Sequence, residues 1–119
     1  MFEKKEIKVA LKEIGVPCNQ SGYEYIQEAV MIIQTVKGYD RGIVTKVIYP
    51  TIAKNHATTP SGAERCIRHS ITCAFNRARP KVIDKIFGNT YSAEKGKPTN
   101  SEFLFALYEY LNDKEESEG

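Results

Sequence analysis

Several things are missing from this sequence, and each absence narrows the choices. No stretch of the 119 residues approaches the ~18 consecutive apolar residues a membrane-spanning helix needs. No basic segment followed by an apolar run opens the chain, so no secretory signal is visible and the cytoplasm is the expected compartment. Cysteine is scarce. Cys18, Cys66 and Cys73 are odd in number and form no CxxC, and His56 and His69 complete no zinc spacing. Neither a metal nor a cofactor is expected. There is no Ser/His/Asp arrangement and no glycine loop to cradle a phosphate, which argues against an enzyme. No run alternates apolar and polar residues with a period of two, and no repeat or low-complexity linker is present, so neither strands nor a solenoid are expected.

What remains is helical periodicity and an uneven charge. The chain is 41% hydrophobic and long enough for one domain with a sizeable core. The net charge of +2 conceals an asymmetry. From Arg41 to Lys97 eleven Lys/Arg face three acids, whereas from Glu109 to Gly119 five acids face one lysine. A basic body attracts polyanions, and nucleic acid is the commonest of these in a cytoplasm.

The pattern predicts about six helices. Glu3 to Ile14 carries an apolar stripe of Ile7, Ala10, Leu11 and Ile14, ended by Gly15 and Pro17. Ser21 to Val36 opens with a Ser21–Glu24 capping box and is apolar over more than half its circumference, which predicts a central helix. Ile43 to His56 is a third segment, with Pro50 bending or dividing it. Pro80 to Phe87 is a short helix closed by Gly88. A loop with Lys95 and Lys97 follows. A Thr99–Glu102 capping box then opens the last helix, whose acidic end from Asp113 should fray.

Between the third and fifth segments lies Thr59 to Phe75. Thr59 is a natural N-cap, and Pro60 suits the first helical position. Ala63, Cys66, Ile67, Ser70, Ile71 and Ala74 fall on one side; Ser61, Glu64, Arg65, Arg68 and Thr72 fall on the other. The polar side can read base edges in a DNA major groove, with Arg donating twice to guanine and Glu accepting from cytosine N4. Taken alone, the same stripe suits a solvated face with an i,i+4 pair such as Glu64–Arg68. The basic surroundings favour DNA. A tight connection, Ala57 to Thr59, joins this helix to the one before it, as in a helix-turn-helix, although the usual turn glycine is missing.

Several motifs resemble one family. Ile43-Val44-Thr45-Lys46-Val47-Ile48-Tyr49-Pro50, Ile52-Ala53-Lys54, Glu64-Arg65-Cys66-Ile67-Arg68-His69 and Lys97-Pro98-Thr99-Asn100-Ser101-Glu102-Phe103 are similar to the C-terminal effector domain of the stage zero sporulation master regulator (protein A) family of endospore-forming bacteria. Ile14-Gly15-Val16-Pro17 and Gly22-Tyr23 fit as well. The resemblance implies an all-α bundle of about six helices with a helix-turn-helix, residues 1–113 forming the effector domain and 114–119 an acidic tail. It implies a sequence-specific transcription regulator that binds a double-stranded promoter box, contacts an RNA polymerase sigma subunit and self-associates on DNA. By position, Ser61, Glu64, Arg65, Arg68 and His69 would face the groove. Ser61, Lys54, Arg77 and Arg79 are expected to position the helix on phosphates, with Glu64, Arg65 and Arg68 reading bases. The family usually has arginine where this chain has Gly62. It also carries a phosphorylatable receiver domain ahead of this one, for which 119 residues leave no room. The expected protein is therefore an effector domain alone, or a stand-alone effector with no phosphoaspartate switch of its own. A second function fits the Gly62 departure: an interaction module that has lost specific readout and titrates a full-length regulator or a polymerase subunit.

Overall fold

Six α-helices and no strand make up the described part of the chain: α1 (Lys4–Ile14), α2 (Ser21–Thr35), α3 (Tyr49–Asn55), α4 (Pro60–Asn76), α5 (Pro80–Phe87) and α6 (Asn100–Glu118). The computed structural model describes residues 1–36, 40–77, 80–88 and 96–118. The all-α class read from the sequence holds. In α1 the buried residues are Ile7, Ala10, Leu11 and Ile14, and Gly15 closes the helix in the left-handed conformation at φ 99°. Such a closure favours glycine because a Cβ would crowd the backbone there.

Helix α2 is the central element, packing against α1, α3, α4 and α6. Tyr25, Ile26, Ala29, Val30 and Ile33 are all buried, so apolar side chains serve several neighbours at once. The expected Ser21–Glu24 capping box does not form. Gln20 occupies the N-cap position without a side-chain cap. Its amide is committed elsewhere: Ser70 Oγ donates to Gln20 Oε1 at 2.9 Å, and Gln20 Nε2 lies 3.6 Å from Cys73 Sγ. The start of α2 is thus fastened to α4 rather than capped on itself.

The Pro50 bend is resolved without a break. Val44 to Ile48 form a π-helical turn that runs directly into α3, with Pro50 in the first turn of that helix. The Tyr49 N–H reaches back five residues to Val44 O. This wider register just before proline accommodates a residue that has no N–H and whose ring would strike the carbonyl four positions earlier. Helix α5 runs from Pro80; of the apolar face Val82, Ile83, Ile86 and Phe87 that the spacing predicts, the last three are buried and Val82 is partly covered. The Thr99 box also forms: Thr99 N–H donates to Glu102 Oε1 at 2.8 Å, and Glu102 N–H donates to Thr99 Oγ1 at 3.2 Å. Helix α6 continues through the acidic run to Glu118.

Helices α2 and α4 approach closely at Gly22. A Cβ built there would lie 2.1 Å from Ser70 Oγ and 2.4 Å from the Cys66 carbonyl oxygen. The carbonyl belongs to the α4 backbone and cannot rotate aside. Gly22→Ala is expected to force the two helices apart and cost about 3 kcal/mol, the upper end for overpacking a closed interior. Urea unfolding of the two proteins checks this.

Candidate nucleic-acid interface

The site begins at the end of α3. His56 N–H donates to Ile52 O at 3.0 Å, and Thr58 N–H donates to Ala53 O at 3.0 Å. Between them Ala57 takes φ 54°. This is a Schellman-type closure with alanine in the place glycine usually takes. The missing turn glycine seen in the sequence therefore does not change the turn; it makes alanine adopt a left-handed backbone, at roughly 1–2 kcal/mol. Side chains around the turn hold it in place. The Glu28 carboxylate pairs with His56 Nε2 and accepts from Asn55 Nδ2 at 3.1 Å, while the Tyr25 ring lies 4.8 Å from the His56 ring. Three contacts thus tie the end of α3 to α2.

Helix α4 then starts as its sequence dictates. Thr59 Oγ1 accepts from Gly62 N–H at 3.0 Å, and Pro60 is the first helical residue. Ala63, Ile67, Ser70, Ile71 and Ala74 are buried, whereas Cys66, expected with them, is only partly covered. On the opposite side Ser61, Arg65, Arg68 and His69 are exposed and Glu64 is half-exposed. These five share one face because spacings of three and four residues return to the same side of a helix. Arg68 Nε lies 3.6 Å from Glu64 Oε1. Arg65 has no ion-pair partner among the described residues, so its guanidinium is available to an incoming acceptor. His69 Nε2 lies 3.6 Å from Cys73 Sγ, one turn along the helix.

Asn100 locks this face from behind. Its side chain is buried, and Nδ2 donates to Tyr49 OH and to the Glu64 carbonyl oxygen, each at 3.0 Å. One amide thus ties together the starts of α3 and α6 and the first turns of α4. Burial pushes the Tyr49 phenol above its ordinary pKa, and the bond to Asn100 partly offsets this. Beside the junction a cleft of about 430 Å³ opens, with Arg41, Arg68 and Lys97 on its walls.

The family description sporulation initiation factor Spo0A C terminal matches residues 7–111 of the 119-residue chain. The chain belongs to the Spo0A C-terminal family. That family is one of DNA-binding effector domains of sporulation, of the regulator rather than the enzyme type, and DNA is the partner it brings. Among the described residues no helix is long and apolar enough to cross a membrane.

The structure brings some of the predicted site residues of this Spo0A C-terminal domain together and separates others. Ser61, Glu64, Arg65, Arg68 and His69 share the outward face of α4. Lys54 is exposed in the last turn of α3, next to the turn that leads into α4. Arg77 lies beyond the far end of α4, sixteen positions from Ser61, or about 24 Å at 1.5 Å per residue. Its guanidinium donates to the Gly15 carbonyl oxygen at 3.4 Å. Arg79 falls outside the described residues, as does most of the 89–98 loop. Gly62 sits in the first turn of α4, where a Cβ would come 2.5 Å from Thr58 Oγ1. That hydroxyl must turn away before any side chain fits.

The sequence reading missed Asn100, Arg41 and Lys97 as members of this neighbourhood. Asn100 lies inside the Thr99–Glu102 motif, where the capping pattern accounts for its neighbours and says nothing of its amide. The turn offers a direct check on its strain. Ala57→Gly is expected to raise unfolding stability by about 1 kcal/mol, since relief of the left-handed strain exceeds the added chain entropy of glycine. Thermal or urea melts read it; a loss of stability would show that the turn is not left-handed.

Proposed function

We propose that α3 and α4 form a helix-turn-helix whose second helix enters the major groove of a promoter box. The observation that carries this reading is the division of α4: a buried apolar side fixed to α2, and an outward side of Ser61, Glu64, Arg65, Arg68 and His69. Arg65 and Arg68 donate to guanine edges, Glu64 accepts from cytosine N4, His69 bonds at the groove edge, and Ser61 bonds to phosphate. Lys54 sits on the adjoining phosphates. Arg77, which already has a backbone acceptor, and Arg79 are assigned to the flanking backbone. On this reading residues 1–113 work as one effector unit in the cytoplasm, with 114–119 as an acidic extension and no catalytic role. The 89–98 segment, apart from Lys97 at its α6 end, and the outer side of α6 would face a sigma subunit, and copies would sit side by side on DNA. The family membership and the exposed acidic residues Glu109, Asp113 and Glu116 along α6 support that placement.

Arg65→Ala tests base reading. Binding to a box duplex is expected to weaken by about 1–3 kcal/mol, with a much smaller loss on random duplex. Equal losses on both would show that Arg65 meets only phosphate.

Gly62 favours a second reading, in which specific readout is lost and the domain titrates a regulator or polymerase subunit through protein contacts. At this position α4 offers backbone instead of the arginine expected from the family pattern. Gly62→Arg is expected to tighten box binding about tenfold if the wild-type face already reads DNA, because it adds one donor pair to an aligned helix. If neither protein binds a promoter box at low salt while both remain folded, the second reading stands.

A further inference from the structure

We propose that the cleft beside α4 holds a backbone phosphate of the bound duplex, clamped by Lys97 and Arg41. Neither residue belongs to the helix-turn-helix. The proposal rests on the reading that the outward face of α4 meets DNA, and it adds a second point of attachment from elsewhere in the fold.

Lys97 reaches the helix from the segment before α6. Its Nζ donates to Thr72 Oγ1, and Thr72 Oγ1 in turn donates to the Arg68 carbonyl oxygen at 2.9 Å. Thr72 lies on the outward stripe, seven positions beyond Arg65, or about 10 Å along the axis. A major groove is about 12 Å wide. A helix reading bases at Arg65 therefore carries Lys97 towards the phosphates that wall the groove.

Arg41 lines the same cleft and lies just before the π-helical turn. Its guanidinium carbon stands 5.3 Å from the centre of the Phe105 ring, a cation–π contact that orients the side chain, and its N–H groups have no acceptor among the described residues. Ser101 is a further polar residue in the lining. The Ser101 hydroxyl is shielded from solvent and has no hydrogen-bond partner among the described residues. A shielded hydroxyl without a partner is costly unless an acceptor arrives.

Among the described residues the acids nearby do not cancel this charge. Glu64 lines the cleft but is paired with Arg68, and Glu102 is committed to the backbone at the start of α6. Among the described residues neither Arg41 nor Lys97 has a carboxylate partner, and both line one cavity. Hydroxyls and Lys/Arg are the ordinary partners of DNA phosphates, and such contacts fix register without carrying sequence information. The clamp would set how far α4 slides along the groove while leaving the choice of base to Arg65 and its neighbours.

Fluorescence anisotropy on labelled duplexes over a range of salt tests the clamp. One duplex is selected from a random pool and the other is scrambled. The proteins are wild type, Arg41→Gln, Lys97→Gln, the double variant and Lys97→Arg, each checked for an intact helical melt. The double variant is expected to bind both duplexes about tenfold more weakly by the same factor. Its slope of log affinity against log salt should be shallower by about 1, one phosphate's share of released counterions. Each single Gln variant should fall between it and wild type, and Lys97→Arg should retain the wild-type slope. If the double variant does not fold, the single variants carry the same comparison. An unchanged slope and affinity would overturn the clamp while leaving base reading by Arg65 intact. A loss confined to the selected duplex would also overturn it, because a phosphate contact cannot tell sequences apart. If wild type itself shows no preference between the duplexes, the α4 reading fails, and the salt slope still decides the cleft.

Discussion

Everything on the outward face of α4 depends on how closely α4 lies against α2. At Gly22 the two backbones come so near that the space for one methyl group is already filled by the Ser70 hydroxyl and the Cys66 carbonyl. Ser70 is fully buried, and its hydroxyl is satisfied by Gln20 at the start of α2. Ala63 and Ala74 are equally buried on the same face of α4. Small residues permit the approach, and Ile67 and Ile71 supply the apolar area, about 1.5–3 kcal/mol each for full burial. A helix seated this firmly has one rotation about its axis. The residues opposite the seam are therefore fixed in direction, which a base-reading surface requires.

The rest of the fold secures the two ends of that helix. At its start, the Ala57 turn gives the chain its change of direction, and the Glu28–His56 pair ties the turn to α2. Asn100 binds the first turns of α4 to Tyr49 and to the beginning of α6. At its end, Arg77 is fastened to the carbonyl that closes α1. The π-helical turn before Pro50 belongs to the same scheme. It carries α3 past a proline without a break, so α3 keeps a continuous approach to the turn. The polar side chains of Gln20, Asn100 and Arg77 act as fasteners between helices.

Much of this was legible in the sequence, for physical reasons. The stripes of α1, α4 and α5 report burial because a helix packed on one side repeats its apolar residues every three or four positions. Thr59 and the Thr99–Glu102 pair mark helix starts because their side chains accept from free backbone N–H groups, and Pro60 does so because it has no N–H to leave unpaired. The failures are equally instructive. Ser21–Glu24 matches a capping box, but the pattern cannot show that Gln20 is needed for a tertiary contact and that the helix begins one position earlier than the box requires. Pro50 signals a bend, yet a change of register costs less than a break when the flanking residues are buried. Ala57 gives no warning of its left-handed backbone, since only the hydrogen bonds across the turn impose it. The candidate groove residues could be found from helical spacing alone. Arg41 and Lys97 could not, because their nearness to α4 arises from the packing of α6 and the π-helical turn, with more than thirty positions of sequence between Arg41 and the Thr99 cap.

The central claim is that α4 presents a fixed, sequence-reading face to duplex DNA. Selection of bound duplexes from a random pool tests it most directly, with the wild-type domain at moderate salt. The account predicts enrichment of one short box with a strong preference for guanine at adjoining positions, where the two arginines reach. Recovery of an unenriched pool by a fully folded domain would contradict it and would leave α4 as a basic surface without a code.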